Sequence, residues 1–301
     1  SVKKAEAFSP AHITGFFQIF DRSRDPLRVG SKGAGVSVSS GVTTSVLVKK
    51  ASENSSKITI NGQAAKSAVV STQVVKHFLS MVGGSHRILV THRVDVPLGQ
   101  GFGASGAGAL SLALALNEAF NLNITRLEAA QIAHIAEVKC NTGLGTVIGE
   151  TFGGLEIRLK PGAPGIGKIQ KIPISQDYVV ACLHSRPMST KRILTNITYR
   201  RNINKIGGGL GAELAAHPTP ARFMMISRKF AEHLGLISKR LRTILDETDK
   251  AGLRFSMAML GESIFTIVKR NRVAQVTQIF DKALPGNTLI MNIDHKGARV
   301  L

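Results

Sequence analysis

A chain of 301 residues with 43% apolar residues is long enough for two ordinary cores, and its net charge of +20 asks for anionic partners. Aromatic residues make up only 5%, with no tryptophan, and the positive charges are dispersed, which weighs against a nucleic-acid-binding surface. Cys140 and Cys182 stand too far apart for a disulfide framework or a thiolate metal cluster and fit a reducing cytoplasm; no apolar run reaches the ~18 residues of a membrane span, and Ser1 to Glu6 holds no signal-peptide core.

Residues 8–20 read as a buried strand that carries polar side chains. His12 and Thr14 are two apart and share one face, either as a pocket wall or as a core histidine bonded to backbone. Gly30-Ser-Lys-Gly-Ala-Gly35 reads as a small-residue loop. Ser31 and Lys32 there either offer a hydroxyl and a charge to an anion or merely turn the chain. A strand over 42–48 and a hairpin turn at Asn61-Gly62 follow. Residues 88–96 alternate as a strand, and residues 110–120 are rich in helix formers. Between them lies Pro97-Leu-Gly-Gln-Gly-Phe-Gly-Ala-Ser-Gly-Ala-Gly-Ala109. Glycines between a strand and a helix start let backbone N–H groups and the helix dipole face one ligand, which makes a phosphate cradle. No lysine occurs in it, so it is no Walker A loop. Gly101, Gly103 and Gly106 match G-x-G-x-x-G, a weak signal alone.

Thr125-Arg-Leu-Glu128 is a capping box that opens a helix to about residue 139. Glu128, Gln131 and Lys139 share its wet side; Glu137 falls almost opposite, with His134 one turn before it. An acid and an imidazole off the wet face are costly unless paired or used. They form either a structural pair, or a magnesium-holding Glu137 with His134 turned toward a substrate. A strand over 155–159 sets Arg158 opposite the apolar Leu155, Ile157 and Leu159, as a carboxylate-binding guanidinium or a surface arginine. Lys160 to Gly167 is the clearest break, and the domain boundary is expected near residue 175. Beyond it the pattern reads strand (178–183), helices (about 189–250), strand (253–260), strand (264–268), helix (273–284) and strand (288–293), a ferredoxin-like order. Ser189 and Thr190 either cap a helix or line a pocket.

The string Pro97-x-Gly-x-Gly-x-Gly-x-Ser-Gly-Ala107 resembles the second motif of the GHMP kinases, whose loop wraps the ATP phosphates. Pro10 to Phe17, Ala133-His-Ile-Ala-Glu137, Thr142-Gly-Leu-Gly145, Gly153-Gly154 and Arg158 are similar to the archaeal pantoate kinase branch. Met257 to Thr266, with Gly261 at its turn, resembles the third motif more weakly, because Glu262 and Ser263 replace small residues. The resemblance implies an α+β, two-domain fold. An N-terminal α/β sandwich with the glycine-rich loop (1–175) precedes a C-terminal ferredoxin-like domain (176–301). It implies a cytoplasmic enzyme, with homodimerisation open, that moves a phosphoryl group from ATP to a hydroxyl of (R)-pantoate in coenzyme A synthesis. On that reading Pro97, Gly99, Gly101, Phe102, Gly103, Ala104, Ser105 and Gly106 hold ATP, and Ser105 and Glu137 hold magnesium. His12, Thr14, Ser31, His134, Arg158, Ser189 and Thr190 meet pantoate. Many members of the superfamily carry an aspartate seven residues before the first glycine of the Gly-Gly pair; here that residue is Thr146, which is no base at neutral pH. Positioning and charge neutralisation then carry the reaction. A homoserine-like acceptor, or a nucleotide- or nucleic-acid-binding protein with little turnover, stays open as the alternative.

Overall fold

Two long strands carry the first half of the molecule, whose computed structural model describes residues 1–66 and 68–301. β1 (Val2–Phe20) and β2 (Gly30–Ala51) run antiparallel along almost their whole length. β3 (Ser55–Ile60) turns through Asn61 and Gly62, both at positive φ, into β4 (Gln63–Ala64), the hairpin that Asn-Gly specifies. Then come α1 (Val69–Met81), β5 (Ser85–Val94), α2 (Ala104–Phe120), α3 (Arg126–Cys140), α4 (Thr146–Phe152), β6 (Leu155–Lys160) and β7 (Lys168–Ile172). β2 serves two neighbours: its first part pairs with β6 and its second with β5. Gly30 to Gly35 is therefore the start of a strand and not a loop. Small residues stand there because other groups crowd in; a Cβ on Gly35 would lie 2.6 Å from His12 Nε2.

α2 is buried almost all round, since its alanines and leucines pack between the sheet, α1 and α3. One core joins Val46, Ile88 and Val90 to Phe78, Leu110 and Ala133.

The second half runs β8 (Tyr178–Arg186), α5 (Thr190–Thr195), α6 (Ile197–Gly207), α7 (Leu210–Ala216), α8 (Pro220–Leu234), α9 (Lys239–Lys250), β9 (Ser256–Met257), β10 (Glu262–Lys269), α10 (Val273–Ala283), β11 (Thr288–Asn292) and β12 (Arg299–Val300). Its antiparallel sheet has the order β11-β8-β10-β9, which is the ferredoxin-like arrangement, so the expected α+β architecture is the observed one. The strand expected over 253–260 shrinks to Ser256–Met257. Met259 N–H leaves the sheet to bond the Thr14 carbonyl at 3.0 Å, and Leu260 takes φ +67°.

Three side chains tie the halves together. Phe223 of α8 packs on Phe16 of β1 and on Phe265 of β10, with ring centroids 6.5 and 6.1 Å away. The chain end also returns: β12 pairs with β1, and Asp294 N–H bonds the Ser37 carbonyl at 3.0 Å.

Candidate active site

A cleft opens where the glycine string, β1, α3 and the second half meet. Gly99, Gly101 and Gly103 adopt φ of +70°, +92° and +62°, conformations glycine takes without a Cβ penalty. α2 starts at Ala104, inside the glycine string and six residues earlier than expected. No side chain caps this end, so the first-turn N–H groups face the cleft with the positive end of the dipole. Phe102 anchors the loop: its ring is buried and its carbonyl accepts the His12 N–H at 2.9 Å. The second half braces the loop from outside. Ser263 Oγ donates to the Gln100 carbonyl at 2.8 Å, and Gly261 abuts Gln100 so closely that it has no room for a Cβ.

Beside the loop stands Glu137, 2% exposed. Its Oε2 accepts the Ser105 hydroxyl at 2.8 Å and the Thr142 hydroxyl. Asn141 makes this possible by ending α3 in the left-handed region, which folds Thr142 back over the last turn. Burial pushes the Glu137 carboxyl above its usual range, and the Thr142 and Ser105 hydrogen bonds oppose that shift. Thr146 lines the same wall, at the first turn of α4. Below it Glu150 is fully buried. Burial, then the charges of Glu137 and Glu156, hold its carboxyl well above the carboxylate range.

The opposite wall is made of side chains from three strands. Glu156 Oε1 lies 2.6 Å from His12 Nε2 and accepts from Arg158 Nη1 at 2.9 Å, while its Oε2 accepts the Gly35 N–H at 3.0 Å. Arg158 Nε donates to Ser31 Oγ at 3.1 Å. Thr14 Oγ1 stands 3.5 Å from His12 Nδ1. The pairing of Gly35 with Glu156 and Gly33 with Arg158 brings these groups together. A buried ion pair of this kind persists because hydrogen bonds satisfy its remaining polar atoms.

The structure gathers most of the expected residues into one cleft: His12, Thr14, Ser31, Gly99, Gly101 to Gly106, Glu137, Thr146, Arg158 and Thr190 all line it. His134, Ser189 and Pro97 do not. His134 turns away from Glu137, and its Nε2 sits 2.8 Å from the Val29 carbonyl, behind the strand that presents Ser31. Burial holds it below the usual histidine range, so it is a neutral donor to that carbonyl. Ser189 caps α5 by accepting the Arg192 N–H at 3.2 Å. Pro97 precedes the loop and stays outside the lining. Lys32 leaves the cleft to lie over the Phe20 ring. Sequence reading missed Glu156, although strand alternation sets it on the face of Arg158. It also missed Glu150, for which no spacing signal existed.

The GHMP kinases N terminal domain family matches residues 67–154. A pantoate kinase of Thermococcus kodakarensis is 38% identical over 290 residues, which is 93% of each chain. A pantoate kinase of Methanocaldococcus jannaschii is 35% identical over 95% of this chain and 99% of its own. Among solved structures, a phosphotransferase related to the CoA biosynthesis pathway superposes with a TM-score of 0.89 at 35% identity. That match covers 99% of this chain and 98% of the other.

Proposed function

The chain belongs to the GHMP kinases, in the pantoate kinase branch, and from that premise we propose how its cleft works. The protein is a kinase that phosphorylates a hydroxyl of pantoate. ATP lies with its phosphates on the N–H groups of residues 99–106, where positive-φ glycines and the uncapped start of α2 converge. Magnesium prefers hard oxygen donors, and Ser105 Oγ and Glu137 are such donors on the cleft wall. When bound, the ion neutralises charge on the phosphate oxygens. Ser105 and Thr142 keep the Glu137 carboxylate oriented for it.

Pantoate takes the other wall. Arg158 offers its guanidinium to the carboxylate, and Ser31, Thr14 and His12 receive the hydroxyls. Glu156 fixes both His12 and Arg158, so recognition groups stand preset before the acceptor arrives. An amino-acid acceptor such as homoserine needs a carboxylate for its ammonium. Among the lining residues only Glu137 is acidic, and Glu156 already holds three partners. With threonine at residue 146, no lining carboxylate other than Glu137 stands ready to take the hydroxyl proton, so rate comes from alignment and charge neutralisation.

One observation carries this reading: a single cleft has backbone donors and a buried acid on one wall and a buried arginine on the other. The test is ADP release from ATP and magnesium with pantoate, homoserine and other small hydroxy acids. Pantoate is expected to give the highest kcat/KM. Turnover of homoserine ahead of pantoate, or of neither, overturns the assignment.

A further inference from the structure

Helix α4 carries an acid that the reaction described above leaves unused. Glu150 is fully buried, and neither of its carboxyl oxygens has a hydrogen-bond partner among the described residues. Such a group is costly in an interior and calls for a partner. Its surroundings show where it points. A Cβ on Gly106 would lie 2.7 Å from Glu150 Oε1 and 3.1 Å from Glu137 Oε1, so the two carboxyl groups face each other across one bare Cα. A Cβ on Gly103 would lie 2.5 Å from Thr146 Cγ2 and 3.2 Å from Glu150 Oε2. Both glycines line the cleft.

Helix geometry explains the coincidence. Residue 150 stands one turn beyond residue 146, and helical side chains lean toward the N-terminus. The carboxyl group of Glu150 therefore comes to rest beside the Thr146 side chain. The acid that is missing from position 146 is present in space, supplied by a longer side chain from the next turn. A shared proton joins one oxygen of each carboxyl in a facing pair; a divalent cation with oxygen preference takes both carboxylates as ligands.

We propose that Glu150 is a second carboxylate ligand of the magnesium ion, joining Ser105 and Glu137, and that it takes the place of an acid at position 146. The proposal rests on the ATP–magnesium reading of the cleft, and the experiment separates the two. Manganese serves as the probe, its binding followed by electron paramagnetic resonance in the presence of a non-hydrolysable ATP analogue. Glu150→Gln is expected to weaken manganese binding about tenfold, within the range that metal-supporting carboxylates command. Adding Thr146→Asp to Glu150→Gln is expected to restore most of it. Unchanged manganese affinity in Glu150→Gln, with binding lost in Glu137→Gln, overturns the role of Glu150 and leaves the parent reading standing. A wild-type protein that binds no manganese beside the analogue overturns both. Should Glu150→Gln fail to fold, Glu150→Asp keeps the charge one methylene further back. Its thermal stabilisation by manganese is then expected to be smaller than that of wild type, and an equal stabilisation overturns the proposal.

Discussion

The two walls of the cleft are built by different means. On the proposed reading the phosphate wall is one short stretch, Gly99 and residues 101–106, that works through main-chain N–H groups. On the same reading the acceptor wall draws His12 from β1, Ser31 from β2 and Arg158 from β6, and it works through side chains of which Glu156 holds His12 and Arg158. Backbone recognition needs only the right φ angles, and a local sequence can specify those. Side-chain recognition needs three strands in register, and one slipped pairing would turn Glu156 and Arg158 to the other face.

The comparison predicts that lesions on each wall separate in the kinetics. The proposed function sets Glu137 beside the reacting phosphate, so Glu137→Ala is expected to lower kcat by about 10³-fold, the scale of losing a preorganised charge contact. ADP release at saturating substrates measures it; a loss confined to KM for pantoate would move Glu137 to the wrong wall. Arg158→Lys keeps a charge but loses the fork that holds Glu156 and a carboxylate together. It is expected to raise KM for pantoate by about 10²-fold, or roughly 3 kcal/mol. KM for ATP should hardly move, and equal changes in both would erase the distinction between the walls.

Beneath the phosphate wall, acid should act selectively. His92 is buried between Thr44 Oγ1 at 2.7 Å and Ser71 Oγ at 2.9 Å, and Thr44 passes the connection to Ser111 of α2. Burial lowers the His92 pKa from 6.5 to about 4. The unfolded chain therefore binds this proton more readily than the folded one. The associated stability is complete above pH 6.5 and is lost as pH falls from 6.5 toward 4, on the order of 3 kcal/mol. Hydrogen exchange across that window should show α2 losing protection, and His92→Gln should flatten the response. The smallest effect is expected from Gly103→Ala. At φ +62° an alanine is strained by about 1–2 kcal/mol, and its Cβ would lie 2.5 Å from Thr146 Cγ2. A several-fold rise in KM for ATP with KM for pantoate unchanged is the expected signature.

Much of this was legible beforehand where the signal is local. The Thr125–Glu128 capping box forms with both reciprocal bonds, and Asn61-Gly62 turns the hairpin it encodes. The glycine string was readable as the turn from a strand into a helix, though its helix begins six residues sooner, because alanine, serine and glycine carry little periodicity to mark a boundary. His134 shows the limit. A helical wheel sets it near Glu137, yet only the packed neighbour, the Val29 carbonyl, decides that it faces the strand behind Ser31. Ser189 was evenly divided between cap and pocket, and the Arg192 N–H claims it.

By itself the sequence determined the ferredoxin-like order of the second half, the glycine-rich turn from strand to helix and the kinship of the chain, since these follow from short-range dihedral preferences and contiguous motifs. Tertiary structure alone decided the rest: that Glu156 locks His12 to Arg158, and that Glu150 comes to face Glu137 across Gly106. Those relations span chain separations that no local pattern encodes, because they are set by strand register and by which helix face the core leaves free to turn inward.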